Sequence, residues 1–515
     1  MLLWIKMSGL KINFHKSEVY CVGMNDRRKA DICQILTCNM GDLPMKYLGL
    51  PINKTRITRK DWNSCENKME NRLGCWKGKL IDIGGRLLLL NSCLSSIPFY
   101  MLSFYPLPKG VRKRLDYFRA RLLWQEDAGS RKYHLEKWPV ICTPKNMGGM
   151  GVLDLECMNI ALLGKWLWKL ETEDGIWQRM LKEKYGHKRV LVQIKSKVGD
   201  SQFWKALMRI KAIFLSFCVK KVGSGDRTLF WEDKWLGCFT LAEKFSQLYN
   251  VVLSKFVTVA AVFNSNWSVL KFRRDLIGDK LRAWRALKKL CVRTTLTDVD
   301  DSVVWSLSKK GVFSVKSFYN ALKIRQMSLE KNVIWDLKVP LKVKVFLWLA
   351  SRNKILTKDN LLKKGWKGGS KQCFFCGSDE TVQHLFLECV VAKFIWRVIS
   401  MCFNIGPFVT LEHMWHDWFG RLRRDSRHVV GVGLAAVIWS IWRCRNDICF
   451  RHIFPNDPLS LINVICYWIS SWAILQKSVA KEKSLAVGVR LLEHLTSEIF
   501  SREHGWRLSS ARLCG

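Results

Sequence analysis

A mainly α fold with minor β, an α+β chain, follows from three features of the sequence. Apolar residues recur every three or four positions through most of its length. Period-two alternation is confined to a few short stretches. Four cysteine and histidine residues fall at a metal-ligand spacing within an apolar, helix-like segment.

Taken in order, residues 1–60 read as mixed α/β. Ser17–Val22 alternates like a strand, Asp26–Cys38 has helical spacing, and Leu43–Pro51 is a short extended element between prolines. Residues 61–190 read as helices. Trp62, Cys65, Met69 and Leu73 mark one buried helix face. Gly84-Gly85-Arg86 open an apolar helix, Leu87–Leu94, that stops before Pro98. Pro108–Trp124 puts Val111, Leu115, Phe118 and Leu122 on one side and Arg112, Lys113, Arg114, Arg119 and Arg121 on the other. Asn159–Glu173 is a fourth helix, rich in Leu and Trp.

Residues 191–300 read as a mixed connector, in which the weakly patterned stretch 240–300 has room for a linker. Val222-Gly-Ser-Gly225 is a glycine turn between short strands. It lacks the spacing and the Lys-Ser/Thr of a phosphate-cradling P-loop, so no nucleotide site is expected there. Residues 303–395 form a compact unit. Val303–Leu307 and Gly311–Val315 suggest a hairpin, and Ser314 or Ser317 caps a helix over Phe318–Arg325. Pro340–Asn353 is an apolar helix and Thr357–Lys364 a short basic one. Residues 396–515 continue as helices, densest at Val437–Phe450.

With 515 residues, 49% of them hydrophobic and 12% aromatic, the chain has a globular composition rather than a disordered one. Lys plus Arg number 85 against 43 for Asp plus Glu, a formal charge of +42. An imbalance of that size favours a polyanionic partner, most simply nucleic acid. The 19 cysteines follow no secretory signal, because Met1–Met7 is too short for an apolar signal core. An intracellular, reducing compartment (nucleus or cytoplasm) is expected, with most thiols acting as small buried hydrophobes. Val429–Trp442 and Leu459–Leu475 are too short or too interrupted by polar residues to span a membrane.

The most specific signal is C-x2-C-x7-H-x4-C, formed by Cys373, Cys376, His384 and Cys389. Three thiolates and an imidazole suit one tetrahedral, structural Zn²⁺. Gly377 relaxes the turn behind the first pair, and Leu385, Phe386 and Leu387 pack between the later ligands, so metal binding and burial form one event. Weaker metal candidates are the pair His413 and His416, and the group Cys444, Cys449 and His452. No Ser/His/Asp or Cys/His catalytic motif is present, and no catalytic residue is assigned.

These segments, in this order, resemble the C-terminal half of a plant LINE-type (non-LTR retrotransposon) reverse transcriptase. Ser8–Asn13 with Lys16-Ser17, and Leu43–Pro51, resemble the end of the family's palm. Gly84-Gly-Arg86, Ile97-Pro98, Pro108, Pro144-Lys145, Gly148-Gly149 and Asn159–Trp166 resemble its thumb and connection. Phe203-Trp204 and Phe230–Trp235 resemble the following segment. Gly311–Lys316 through Cys389 resembles the reverse transcriptase zinc-binding domain, and Trp442–Asn446 its tail. The resemblance divides the chain into a palm remnant (1–60), thumb and connection helices (61–190), a connector (191–300), the zinc-binding domain (303–395) and a C-terminal helical region (396–515).

It also implies what the chain lacks. Reverse transcriptases hold two Mg²⁺ ions with aspartates that include a Tyr/Phe-x-Asp-Asp turn, and in the family that turn precedes the position matched by Ser8. The pair Asp300-Asp301 stands in the lead-in to the zinc unit, not in a palm hairpin, and Asp127, Asp174 and Asp233 have neighbours of the wrong kind. No ribonuclease H carboxylate set is evident after the zinc unit. The expectation is zinc and nucleic-acid binding, to RNA or single-stranded DNA, without polymerase activity as written. Two readings stay open beside it: a piece of an active RNA-directed DNA polymerase whose Asp-Asp turn lies upstream, and a decayed reading frame.

Candidate phosphate contacts are Lys342, Lys344, Arg352, Lys354, Lys358, Lys363 and Lys364, interleaved with aromatic and aliphatic residues. Arg112, Lys113 and Arg119 join them on the helix that resembles the thumb, which in the family grips the template–primer backbone. Lysines that merely solvate an outer face would give the same pattern, and the sequence leaves both readings open.

Overall fold

The structure is a computed structural model. It describes residues 13, 17–53, 56–76, 80–124, 133–186, 190–325, 332–406, 408–455 and 457–504. Ser8–Ile12, Lys16 and Asp127 lie outside the described residues. The chain is mainly α with minor β, as its periodicity predicts.

The N-terminal stretch holds β1 (Glu18–Val19), α1 (Asp26–Leu36), β2 (Asn39–Met40), β3 (Met45–Tyr47) and β4 (Leu50–Ile52). Strands β1 and β2 pair in parallel, and β3 and β4 form an antiparallel ladder with Met45 opposite Ile52. Helices follow as α2 (Asn63–Cys75), α3 (Ile83–Leu89), α4 (Lys109–Trp124), α5 (Leu155–Thr172) and α6 (Gln202–Leu215). Then come β5 (Cys218–Lys221), α7 (Asp279–Cys291), β6 (Ser302–Trp305) and α8 (Val315–Ile324). The remainder is helical: α9 (Leu341–Ser351), α10 (Lys358–Lys363), α11 (Val390–Phe403), α12 (Arg424–Arg451), α13 (Pro458–Ala473) and α14 (Val479–His504). Shorter helical turns lie between these elements. No helix among the described residues is long and apolar enough to cross a membrane.

The chain divides into two compact units built from interleaved segments. One comprises residues 1–68, 97–114 and 155–322, the other 69–96, 115–154 and 323–515. In the first, Trp305 is fully buried and meets Phe313 at 4.8 Å, Phe214 at 5.4 Å and Phe318 at 5.5 Å between ring centroids. Its indole N–H donates to Ser317 Oγ at 2.8 Å. On α5, a Cβ on Gly164 would come within 2.6 Å of the Phe318 ring, so only glycine lets the two approach. Asn159 closes the other side by bonding Leu102 O, Tyr105 O and Leu107 N. In the second unit, α3 packs on α9 so closely that a Cβ on Gly84 would lie 2.7 Å from Lys342 N. Trp348 of α9 donates its indole N–H to Gly148 O at 2.7 Å.

Three local expectations differ from the structure. Val303–Leu307 does not form a hairpin with Gly311–Val315. Instead β6 pairs antiparallel with the distant β5, Trp305 facing Cys218, because that places Trp305 in the aromatic core. The weakly patterned residues 240–300 do not form a linker. They fold as short helical turns and α7 around Phe230, Trp231, Leu248, Val252, Val262 and Leu287, all fully buried. Arg119 is not on the exposed face of α4 but is fully buried. It lies one helical turn from both Leu115 and Leu123, themselves fully buried, and so shares their stripe. Its guanidinium is satisfied there by Asp116 Oδ1 (2.7 Å), Ser95 Oγ (3.2 Å) and Leu153 O.

Candidate metal centre

Two backbone devices bring the four metal-ligand candidates together. The first is a tight turn over Cys373–Ser378. Gly377 N–H donates to Cys373 O at 2.9 Å, and Cys373 N–H donates to Ser378 O at 2.6 Å. Gly377 takes φ 76°, a left-handed conformation that suits a residue without Cβ. The second is a π-helical turn over His384–Glu388, entered under a cap in which Thr381 Oγ1 accepts from His384 N–H at 3.0 Å. Its signature bond runs from Cys389 N–H to His384 O at 2.7 Å. An i→i+5 turn aligns side chains five residues apart, and the H-x4-C spacing requires that alignment of His384 and Cys389.

The donor atoms of Cys373, Cys376, His384 and Cys389 all lie within 4.8 Å of one another. Cys389 Sγ stands 3.9 Å from both Cys373 Sγ and Cys376 Sγ, and Cys376 Sγ stands 3.1 Å from His384 Nε2. Tetrahedral zinc with Zn–S near 2.3 Å needs sulfur–sulfur edges of about 3.8 Å, so this donor set fits zinc in kind and in spacing. Among the described residues it is the only such cluster, and His413/His416 and Cys444/Cys449/His452 do not assemble one. No three carboxylates among the described residues stand close enough to share an ion.

Position also prepares the thiols. Cys389 is the N-cap of α11, where helix N–H groups favour a thiolate. Its thiol is held below the ordinary value, chiefly by the hydrogen bond from Cys373 and further by the backbone N–H of Val391. Cys373 is correspondingly raised, first by that same bond and then by burial. Burial alone pushes Cys291 up to about 12.

Sequence reasoning missed the group that anchors the turn carrying Cys373 and Cys376. Glu380 is 1% exposed and follows the turn directly. Its Oε1 accepts from Lys358 N–H at 3.0 Å and from Arg445 Nη2 at 2.6 Å, and its Oε2 accepts from Arg445 Nε at 3.2 Å. Arg445, on α12 and equally buried, lies 5.2 Å from the Trp442 ring centroid. A carboxylate beside the Cys/His turn, with a later arginine in a tryptophan-rich helix, was the available signal.

The basic candidates separate by their partners. Lys358 is buried, with Nζ on Gln372 O and 3.6 Å from the Phe374 ring centroid. Lys344 donates to Trp335 O at 3.0 Å, and burial lowers its pKa. Arg352 pairs with Glu136 at 2.8 Å, Lys363 with Asp359 at 2.9 Å, and Lys364 donates to His134 O at 3.0 Å. Arg112 pairs with Glu156. Lys113 is exposed, and Lys342 and Lys354 are half-buried.

The glycine turn proves to be an anion cradle filled from within. Asp301 Oδ1 accepts from Gly223 N–H (2.7 Å) and Gly225 N–H (2.8 Å), and its Oδ2 from Arg227 N–H and Thr228 Oγ1 (both 2.9 Å). Partial burial opposes ionisation, but these four donors outweigh it and hold the carboxyl below its usual range. Its contribution is therefore complete above the unfolded carboxyl pKa and lost as pH falls through the lower folded value. Asp301→Asn is expected to destabilise the chain by about 2 kcal/mol at neutral pH, and by progressively less below about pH 4. Denaturant melts of both proteins at neutral and acid pH check this. Equal stability at neutral pH would refute it.

Residues 313–396 match the family described as "zinc-binding in reverse transcriptase". Over 415 residues, 77% of its length, the chain is 28% identical to an Arabidopsis thaliana protein named "Putative ribonuclease H protein", of which the match spans 66%. Over 143 residues, 27% of its length, it is 24% identical to an "Uncharacterized mitochondrial protein" of the same plant, covering 93% of that protein. The chain thus carries a reverse-transcriptase zinc-binding domain, whose segment contains all four clustered donors.

Proposed function

We propose that the chain is a segment of a plant LINE-type reverse transcriptase in which Cys373, Cys376, His384 and Cys389 hold one structural zinc. Its basic surface binds RNA or single-stranded DNA in the nucleus or cytoplasm. The single observation that carries this reading is the convergence of the four donors inside the matched domain. Zinc there is structural rather than catalytic, since four protein ligands fill a tetrahedron and leave no position for water.

The nucleic-acid part draws on the charge of +42 and on cations that remain exposed near the metal turn, among them Lys363, Lys367 and Lys371. Arg119 and Lys358 are left out of the proposed contact surface, because both are buried on internal partners. Nor does the one Asp-Asp pair serve polymerase chemistry in this reading, since Asp301 is fully engaged in its loop. The nucleic-acid association also accords with the printed name of the longer relative.

The purified chain is expected to carry one zinc and to bind single-stranded RNA. With about four phosphate contacts, affinity should fall about 50-fold between 50 and 200 mM salt. A folded chain without zinc would overturn the metal assignment, and salt-independent binding would overturn the phosphate contacts.

A further inference from the structure

Between Lys271 and Arg293 nine cationic side chains stand against two carboxylates, Asp275 and Asp279. That is far denser than the average of the chain, and it lies outside the matched zinc-binding segment. Helix α7 organises much of this charge. Leu287 and Cys291 are fully buried in the core of their unit, and Trp284 packs edge-on against Trp267 at 5.5 Å and Phe272 at 5.2 Å. The opposite face presents Arg285 and Lys289 at helical spacing, continued by Arg293 just past the C-terminus. All three are exposed, and among the described residues none has an ion pair or hydrogen bond from its side chain. Arg112, Arg119, Arg352 and Lys358 differ in each having an internal acceptor.

We infer that this stripe is a second nucleic-acid contact, independent of the metal, in which Arg285, Lys289 and Arg293 pair with successive phosphates of a single strand. Exposed, unpartnered cations one helical turn apart give up nothing internal when a phosphate binds, and they release counterions on binding. Charge complementarity alone would also suit an anionic membrane. A membrane-surface helix must however lay its apolar face in the lipid, and that of α7 is already buried in the protein. Arg273 and Arg274, exposed ahead of the helix, extend the positive surface. The inference rests on the nucleic-acid reading above and not on the zinc.

The test is the full chain carrying Arg285→Gln, Lys289→Gln and Arg293→Gln, titrated with a labelled 20-nucleotide single-stranded RNA over a range of salt. Loss of three phosphate contacts should make the slope of log K against log salt shallower by about 2. Zinc content and the unfolding midpoint should not change. The same decrement in a zinc-stripped chain would support the stripe separately from the metal site. A slope equal to that of the unsubstituted chain would overturn the inference. So would a defect confined to phosphatidylserine vesicles, which are the control because Ile277 and Val292 flank the stripe exposed.

Discussion

A chain carrying Cys373→Ser is expected to purify with essentially no zinc and to lose protease resistance across residues 313–396. The reasons are geometric and energetic together. Cys373 supplies one of four donors, and it shares a hydrogen-bonded pair with Cys389, which caps α11. A hydroxyl is a poor zinc ligand, and three remaining donors do not close a tetrahedron. Structural zinc contributes about 10–16 kcal/mol of apparent free energy in small zinc domains. A whole domain is stable by only about 5–15 kcal/mol, so no compensation elsewhere is large enough. Metal analysis and limited proteolysis read the two effects separately. Cys402→Ser, at a half-buried cysteine outside the cluster, is the control and should leave zinc content unchanged. A Cys373→Ser chain that keeps one zinc would refute the assignment of this ligand.

The second large effect is expected at Glu380. Glu380→Gln keeps the shape but removes the charge, leaving the Arg445 guanidinium 4% exposed with no counter-ion. Breaking one side of such a pair costs about 3–5 kcal/mol, because the remaining charge stays desolvated. The double substitution Glu380→Gln with Arg445→Met removes the orphaned charge and should recover most of that loss. Denaturant unfolding of the two single variants and the double variant measures the coupling. A Glu380→Gln cost below about 1 kcal/mol would mean that water reaches Arg445 and that the anchor is weaker than its geometry implies.

What could be read from the sequence divides by physical cause. Val111, Leu115, Phe118 and Leu122 were legible as one buried face because a helix repeats its neighbours locally. The clustering of Cys373, Cys376, His384 and Cys389 was legible because metal chemistry restricts both the type and the spacing of candidate donors. The strand partner of β6 was not, since it is β5, more than eighty residues earlier, and no local pattern encodes that distance. Arg119 reads as a surface residue by type, and only the carbonyl and hydroxyl that receive it, contributed by other segments, make its burial tolerable. The same limit hid the Glu380–Arg445 pair, whose members are 65 positions apart. The part Asp301 plays in the 223–228 loop was hidden as well, since it depends on the loop's conformation.

The interleaving of the two units bears on how the protein is made. One unit joins residues before 69 to a stretch that is not complete until residue 322 has emerged, and the other gathers residues 69–96 with a stretch that starts at 323. Neither can close in a simple vectorial order on the ribosome. Early helices such as α3 must wait, apolar face uncovered, for α9 to be synthesised some 250 residues later. At about 5–20 residues per second that wait lasts tens of seconds, long enough for chaperone capture to decide the yield of folded chain.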